Sequence, residues 1–141
     1  MSDSTFSRLE NYASELMKSY PPGSVFLSET MIYSNKADEA GTIDLVVINP
    51  DGKVDLYDWK TINLYGKDSI PYYKEEAWNI QLGRYKGILK EYGLKDFGKL
   101  RVIPISTRWN KRGDFTGIDI GGNTLGPIPR TGLKGGEIEQ T

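Results

Sequence analysis

Two short β-prone segments on either side of a turn sequence constrain this chain more than any other feature. The segments are residues 42–48 (TIDLVVI) and 53–60 (KVDLYDWK), and residues 49–52 (NPDG) lie between them. The turn is made of residues that favour tight turns, and the flanking segments are rich in β-branched and aromatic side chains. We therefore predict that the two segments pair as an antiparallel hairpin.

Each predicted strand of this hairpin contains an aspartate among apolar neighbours, Asp44 in the first and Asp58 in the second. The alternation of side chains places Asp58 and Lys60 on one face of the second strand. In the first strand it places Asp44 and Val46 on the same face. The two carboxylates can then approach each other across the hairpin, where like charges repel unless a cation separates them. The pattern favours a divalent cation with Lys60 beside it; the alternative is a solvated hairpin with an Asp58–Lys60 salt bridge.

The composition limits the chemistry that such a site can use. The chain has 141 residues and contains neither His nor Cys. Disulfides, thiolate zinc sites and imidazole-based catalysis are therefore excluded within it. A metal would have to accept oxygen ligands, which favours Mg²⁺, Mn²⁺ or Ca²⁺. The formal net charge of -1 supplies no broad basic surface, which counts modestly against tight, sequence-independent nucleic-acid binding.

The remaining patterns predict one α/β domain with the order αβββαβ around a mixed sheet. Besides the hairpin, the predicted elements are helices over 6–20 and 74–92 and strands over 24–33 and 100–107. Pro104 within the last strand favours an edge position or a bulge. We expect residues 1–112 to form the core and the Gly- and Pro-rich segment 113–141 to be an extension, with one short strand at 115–120 before a mobile tail.

Four sequence motifs follow one another along the chain. They are a glutamate ahead of the hairpin (Glu29), G-x-x-D at 41–44, D-x-K-T at 58–61 and Q-x-x-x-Y at 81–85. Each motif is common by itself, but the ordered set resembles the RecB-like branch of the PD-(D/E)xK nuclease superfamily over about residues 6–107. The resemblance implies a restriction-endonuclease-like αβββαβ core, that is, a mixed sheet flanked by helices.

The resemblance also implies a metal-binding and catalytic set. Asp44 and Asp58 are expected to bind Mg²⁺ or Mn²⁺, with an oxygen ligand from the Trp59 carbonyl. Glu29 is expected to bind the metal directly or through water; the alternative is a surface carboxylate. Lys60 is expected to orient the attacking water and to stabilise charge on the phosphate, so that Lys60, Asp58, Asp44 and Glu29 are the predicted catalytic residues.

The helix after the hairpin is expected to contribute to substrate binding. Gln81 and Tyr85 are four residues apart and therefore share one helix face. By resemblance they contact substrate phosphate or brace the site, with Thr61 beside them; the alternative is a surface amide and a core tyrosine. Some relatives also carry a His or an acidic residue on the first helix. Glu10 or Glu15 is the candidate for that position here, which leaves one or two metals open.

The function expected from these features is metal-dependent hydrolysis of DNA phosphodiester bonds by an activated water. The Q-x-x-x-Y motif favours an exonuclease or end-processing enzyme acting on single-stranded DNA or a free end. A catalytically weak module that binds nucleic acid or a partner is the alternative, and a Ca²⁺-stabilised domain is a weaker one. Expected partners are a helicase, a replication or repair protein, or the rest of a larger polypeptide. No segment resembles a membrane helix or a signal peptide, so we expect a cytoplasmic protein or a viral protein acting inside the host cell.

Overall fold

The computed structural model describes residues 3–63, 71–109 and 111–120. The expected order of helix, three strands, helix and strand is confirmed, and the short strand expected at 115–120 is present. The elements are α1 (Asp3–Lys18), β1 (Val25–Ser34), β2 (Glu39–Ile48), β3 (Val54–Asn63), α2 (Tyr72–Glu91), β4 (Phe97–Trp109) and β5 (Phe115–Ile120). The mobile tail that the sequence predicts after residue 120 lies outside the described residues.

The five strands form one mixed sheet in the order β1-β2-β3-β4-β5. Strands β3 and β4 are parallel, and the other neighbouring pairs are antiparallel. A parallel pair needs a crossover connection, and α2 lies in that connection. Because β4 lies inside the sheet, the prediction of an edge position for Pro104 is wrong. The described β4–β5 pairing begins at Ile105, so Pro104, which lacks an N–H, lies just beyond the end of that ladder.

The predicted hairpin is confirmed. Strands β2 and β3 pair from Leu45↔Tyr57 to Ile48↔Val54. The turn is closed by hydrogen bonds of 2.8 Å from Asn49 N–H to the Lys53 carbonyl and from Gly52 N–H to the Asn49 carbonyl. Gly52 has a φ of 89°, a conformation that costs glycine little, which explains a glycine at the end of the turn sequence.

Two apolar clusters lie on opposite faces of the sheet, one under each helix. The alternation predicted for β3 is confirmed: Val54 and Leu56 face α2, whereas Tyr57 and Trp59 face α1. On the α2 side the helix contributes one face, formed by the buried residues Trp78, Leu82, Tyr85 and Leu89. On the other side Leu9, Tyr12 and Leu16 of α1 pack against the second cluster. The domain therefore has three layers, with the sheet between two helices.

Several boundaries differ from the predicted ones: strands β3 and β4 continue beyond the predicted segments, whereas both helices are shifted towards the N-terminus. Helix α1 begins and ends earlier than predicted, so Tyr20 lies after the helix, where its ring packs edge-on against Phe26 and Tyr57. Helix α2 begins directly after Pro71, and Gly93 follows its end with a φ of 95°. In the part of the chain that the structure describes, neither helix is long and apolar enough to cross a membrane.

Candidate active site

The candidate site lies where β2 and β3 separate. Their pairing ends at Leu45↔Tyr57, so Asp44 and Asp58 are the first residues beyond the ladder. The backbone N–H of Trp59, which has no ladder partner on β2 at this point, donates a 2.7 Å hydrogen bond to Asp44 Oδ2. The Asp44 side chain thus replaces a backbone acceptor, and the separation of the strands makes room for it beside Asp58.

Lys60 is held between the hairpin and α2. Its Nζ lies 3.0 Å from Asp58 Oδ2 and donates a 2.6 Å hydrogen bond to Gln81 Oε1. The side-chain amide of Gln81 also hydrogen-bonds the hydroxyl of Tyr85. The structure therefore brings together the D-x-K and Q-x-x-x-Y motifs that are separate in the sequence. The Lys60 side chain keeps 25% of its surface exposed, whereas that of Asp58 keeps only 4%.

The Asp44 carboxyl disfavours ionisation of Asp58. Burial raises the pKa of Asp58 to about 7, and the hydrogen bond and charge of Asp44 add to this effect while Lys60 opposes it. Burial and the charges of Asp58 and Asp44 also raise the pKa of the Tyr85 hydroxyl, against the hydrogen bond from Gln81. The Asp44 carboxyl therefore lies close enough to Asp58 to oppose its charge. A cation at this place would relieve the same repulsion.

Gly41 explains why the Tyr85 ring fits beside the acidic pair. A Cβ atom added at Gly41 would lie 2.7 Å from Cε1 of Tyr85, closer than non-bonded carbon atoms approach. Tyr85 itself is only 8% exposed. The ring is therefore a packed support of the site, with its hydroxyl fixed by Gln81. The sequence contains the glycine of the G-x-x-D motif, but nothing in it indicates which side chain requires the space.

Glu29 adopts an unusual backbone conformation next to the site. Its φ is 49°, in the left-handed region that residues other than glycine seldom occupy. The β1–β2 ladder pairs Ser28 with Leu45 and Thr30 with Ile43, and it omits the intervening pair of Glu29 and Asp44. Both of these residues line an open hollow of about 220 Å³. Within the described residues, however, no three acidic side chains form a group that could hold a metal.

The other predicted site residues are less closely connected with the acidic pair. Thr61 is exposed and pairs with Ile105 in the β3–β4 ladder. The Trp59 side chain faces α1, where it contacts Tyr12 edge-on at 6.3 Å between ring centroids. A metal-ligand role for its carbonyl stays a prediction. On α1, Glu15 is exposed and pairs with Lys18 at 3.4 Å, whereas Glu10 lines a mainly apolar hollow.

Comparison with family models, curated proteins and solved structures gives no match to this chain. The case for a site therefore depends on the arrangement itself. The buried Asp58, the partly buried Asp44, a lysine held by two partners and a supporting helix face converge at the end of one strand ladder, Leu45↔Tyr57. Strongly shifted carboxyl pKa values of this kind concentrate at functional sites.

Proposed function

We propose that this chain is a divalent-metal-dependent DNA nuclease with a restriction-endonuclease-like fold. The observation that carries the proposal is the pair of carboxyls, Asp44 and Asp58, placed within hydrogen-bonding reach of each other beside Lys60. Placing two like charges together among apolar residues opposes folding. An arrangement that opposes folding needs a functional reason, and binding of a cation supplies one.

The donor set fits Mg²⁺ or Mn²⁺. Trp59 N–H binds one oxygen of Asp44, and Lys60 contacts one oxygen of Asp58, which fixes both carboxylates in orientation. Mg²⁺ is usually bound through one or two carboxylates together with water and substrate oxygens, so a third acidic residue is not required. Glu29, on the hollow that it shares with Asp44, lies where it can bind through water. When bound, the ion would activate a water molecule and offset negative charge on the phosphate.

We assign the action on the substrate to Lys60. Its ammonium is partly exposed and carries positive charge beside the acidic pair, where it can orient a water and stabilise charge that develops on a phosphate. Asp58 and Gln81 restrict the position of this ammonium from two sides. We therefore assign Gln81 and Tyr85 to positioning of Lys60, which is the bracing role among the two that the sequence left open.

DNA as the substrate follows from the resemblance of the ordered motifs to the RecB-like nucleases. In the proposed reaction a water oxygen attacks phosphorus in line, the bond from phosphorus to the 3′ oxygen breaks, and the leaving oxygen takes up a proton. The products are a 5′-phosphate and a 3′-hydroxyl. The Q-x-x-x-Y motif favours action at an end or on a single strand. A helicase or another replication or repair protein, or a further part of a longer chain, is the proposed source of that strand.

A cleavage assay with a matched lysine control tests the proposal. End-labelled single- and double-stranded DNA is incubated with Mg²⁺ or Mn²⁺, or with EDTA, and wild type is compared with Lys60→Ala and Lys90→Ala. Lys90 is an exposed lysine at the end of α2. We expect metal-dependent cleavage by wild type and Lys90→Ala, and none above background by Lys60→Ala. Binding of DNA without cleavage by wild type would instead favour the weak binding module, and equal cleavage by all three proteins would refute the assigned site.

A further inference from the structure

A groove runs beneath α1 from Asp44 towards β5. It consists of two hollows that share Ala13 and Trp59 in their walls, and we call it the α1 groove. The first hollow, of about 220 Å³, contains Asp44 and Glu29. The second, of about 260 Å³, is lined mainly by apolar side chains, with Glu10 among its walls. The first hollow therefore adjoins the candidate site through Asp44, and the second hollow is its neighbour and differs from it in chemistry.

The residues that line the second hollow suit a flat, apolar group. Tyr12 and Trp59 form part of its wall, and their rings meet at an interplanar angle of 88°. Ile105 and Ile120 contribute further wall from the sheet. Its volume is below the range of about 300–1,000 Å³ that is typical of pockets for drug-sized ligands, so it suits a single small ring system. Aromatic side chains next to an apolar floor are the usual means of holding an unstacked base.

We propose that the α1 groove binds one nucleotide of a single-stranded substrate, with the base against Tyr12 and Trp59 and the adjoining phosphate beside Asp44. This inference rests on the proposed nuclease function, and it adds how the substrate is held. A nucleotide matches the two hollows, because its phosphate is charged and its base is flat and largely apolar. The acidic hollow accepts phosphate only with a divalent cation, because the carboxylates alone repel it.

Glu10 gives the groove a means of base selection. It is exposed and lies in the wall of the aromatic hollow, which it shares with Tyr12. A carboxylate accepts a hydrogen bond from the exocyclic amino group of cytosine, whereas thymine presents an acceptor oxygen at that position. Between two pyrimidines of similar size, the groove therefore favours cytosine.

Filling the groove tests the proposal. Ala13→Leu extends a helix side chain into the wall that both hollows share, and Ala37→Leu makes the same change at an exposed position between β1 and β2. Binding of short oligo-dC and oligo-dT is measured by fluorescence anisotropy with Ca²⁺ and with EDTA, and cleavage is measured separately with Mn²⁺. We expect Ala13→Leu to bind about tenfold more weakly and to raise KM more than it lowers kcat, while Ala37→Leu matches wild type.

Glu10→Gln provides a second variant that leaves the packing of α1 intact. Wild type should bind oligo-dC more tightly than oligo-dT, and Glu10→Gln should reduce this preference. If wild type cleaves DNA but Ala13→Leu and Glu10→Gln behave as wild type, the groove proposal is wrong and the nuclease proposal survives. If wild type does not cleave but Ala13→Leu loses binding, the groove binds nucleotides and the nuclease proposal fails. Absence of oligonucleotide binding by wild type overturns the groove proposal.

Discussion

Two buried aspartates on β3, three residues apart, lie in opposite electrostatic environments. Asp55 is 5% exposed and Asp58 is 3% exposed, so burial does not distinguish them. On the α1 side, Asp55 Oδ1 accepts a 2.8 Å hydrogen bond from Lys99 N–H, and Oδ2 accepts one of 2.5 Å from the Tyr20 hydroxyl. The Tyr20 hydroxyl is shared with Tyr57. Each carboxylate oxygen of Asp55 thus accepts a hydrogen bond from a neutral donor.

On the α2 side, Asp58 faces another carboxyl. Its partners are Asp44 and Lys60, and only the lysine favours the ionised form. Asp55 is therefore a buried acid that stabilises the fold, whereas the fold holds Asp58 in an electrostatically unfavourable position. Asp55 joins Tyr20, which lies just beyond α1, to Lys99 near the start of β4. Asp58 lies next to the partly exposed cationic side chain of Lys60 and has a raised pKa, which is a property typical of functional sites.

The largest expected difference between these residues is in cleavage activity. Asp58→Asn removes a charge needed to bind the metal and to hold Lys60, so we expect activity to fall by about a thousandfold or more. Asp55→Asn is the matched change on the other face and should leave kcat within a factor of about three, provided that the protein is folded. Metal-dependent kcat and KM on labelled single-stranded DNA measure both effects. A similar loss of cleavage activity in the two variants would contradict a functional difference between Asp55 and Asp58.

For stability, unlike activity, Asp55→Asn should have a larger effect than Asp58→Asn. Asp55→Asn replaces a carboxylate that accepts from Lys99 N–H and Tyr20, and we expect a loss of about 2–3 kcal/mol in the free energy of unfolding. Asp58→Asn relieves the repulsion from Asp44 and should be neutral or stabilise the metal-free protein by about 1 kcal/mol. Urea unfolding in EDTA at pH 8 gives both values. A strongly destabilised Asp58→Asn would mean that Asp58 supports the fold as Asp55 does.

The pH dependence of stability provides a third contrast. The pKa of Asp58 is raised to about 7 in the folded protein, whereas an unfolded aspartate titrates near 4. Between these values the folded state binds more protons, so the free energy of unfolding of the metal-free protein should fall as the pH rises from about 4 to about 7. Asp58→Asn should remove that part of the pH dependence, and Asp55→Asn should keep it. Urea titrations at several pH values in EDTA check this, and equal slopes in wild type and Asp58→Asn would contradict it.

One glycine lies beside Asp55 and another lies beside Tyr85 of the candidate site. Alanine substitutions at these two positions allow a further comparison, with smaller expected effects. A Cβ atom at Gly98 would meet the Asp55 carboxylate, and one at Gly41 would meet the Tyr85 ring. Either alanine should cost about 1–3 kcal/mol of stability by overpacking. Only Gly41→Ala should also lower kcat, by about tenfold, because Tyr85 is hydrogen-bonded to the residue that holds Lys60. Thermal unfolding together with kcat separates the two, and unchanged kcat in folded Gly41→Ala would exclude a positioning role for Tyr85.

Much of the α2-side site follows from the sequence because its parts obey local rules. The turn at 49–52 fixes the hairpin, and alternation along β3 then places Asp58 and Lys60 together. The four-residue spacing of Gln81 and Tyr85 places them on one face of α2. Each of these inferences needs only neighbours in sequence and one periodicity. The approach of α2 to the hairpin was expected from the resemblance and not from any of these patterns.

The features that the sequence does not indicate depend on contacts between distant residues. Alternation places Asp55 opposite Asp58, but nothing local shows that Tyr20 reaches Asp55 from beyond the end of α1. The space that Gly41 leaves for Tyr85 depends on how α2 packs on the sheet. The left-handed conformation of Glu29 is similarly unexpected, because a glutamate has no local preference for it. The interior position of Pro104 depends on where β5 joins the sheet.

The smallest expected difference concerns two residues outside β3, namely Gln81, which accepts a hydrogen bond from Lys60, and Tyr20, which donates one to Asp55. Gln81→Leu keeps the approximate size of the side chain and removes the 2.6 Å hydrogen bond that Lys60 donates. We expect kcat to fall by a few-fold to about tenfold, with the free energy of unfolding changed by less than about 0.5 kcal/mol. Tyr20→Phe removes one donor from Asp55 and should cost about 1 kcal/mol of stability with no change in kcat. Because Lys60 keeps its contact with Asp58 in Gln81→Leu, a complete loss of activity would show that Gln81 contacts the substrate itself and does more than position the lysine.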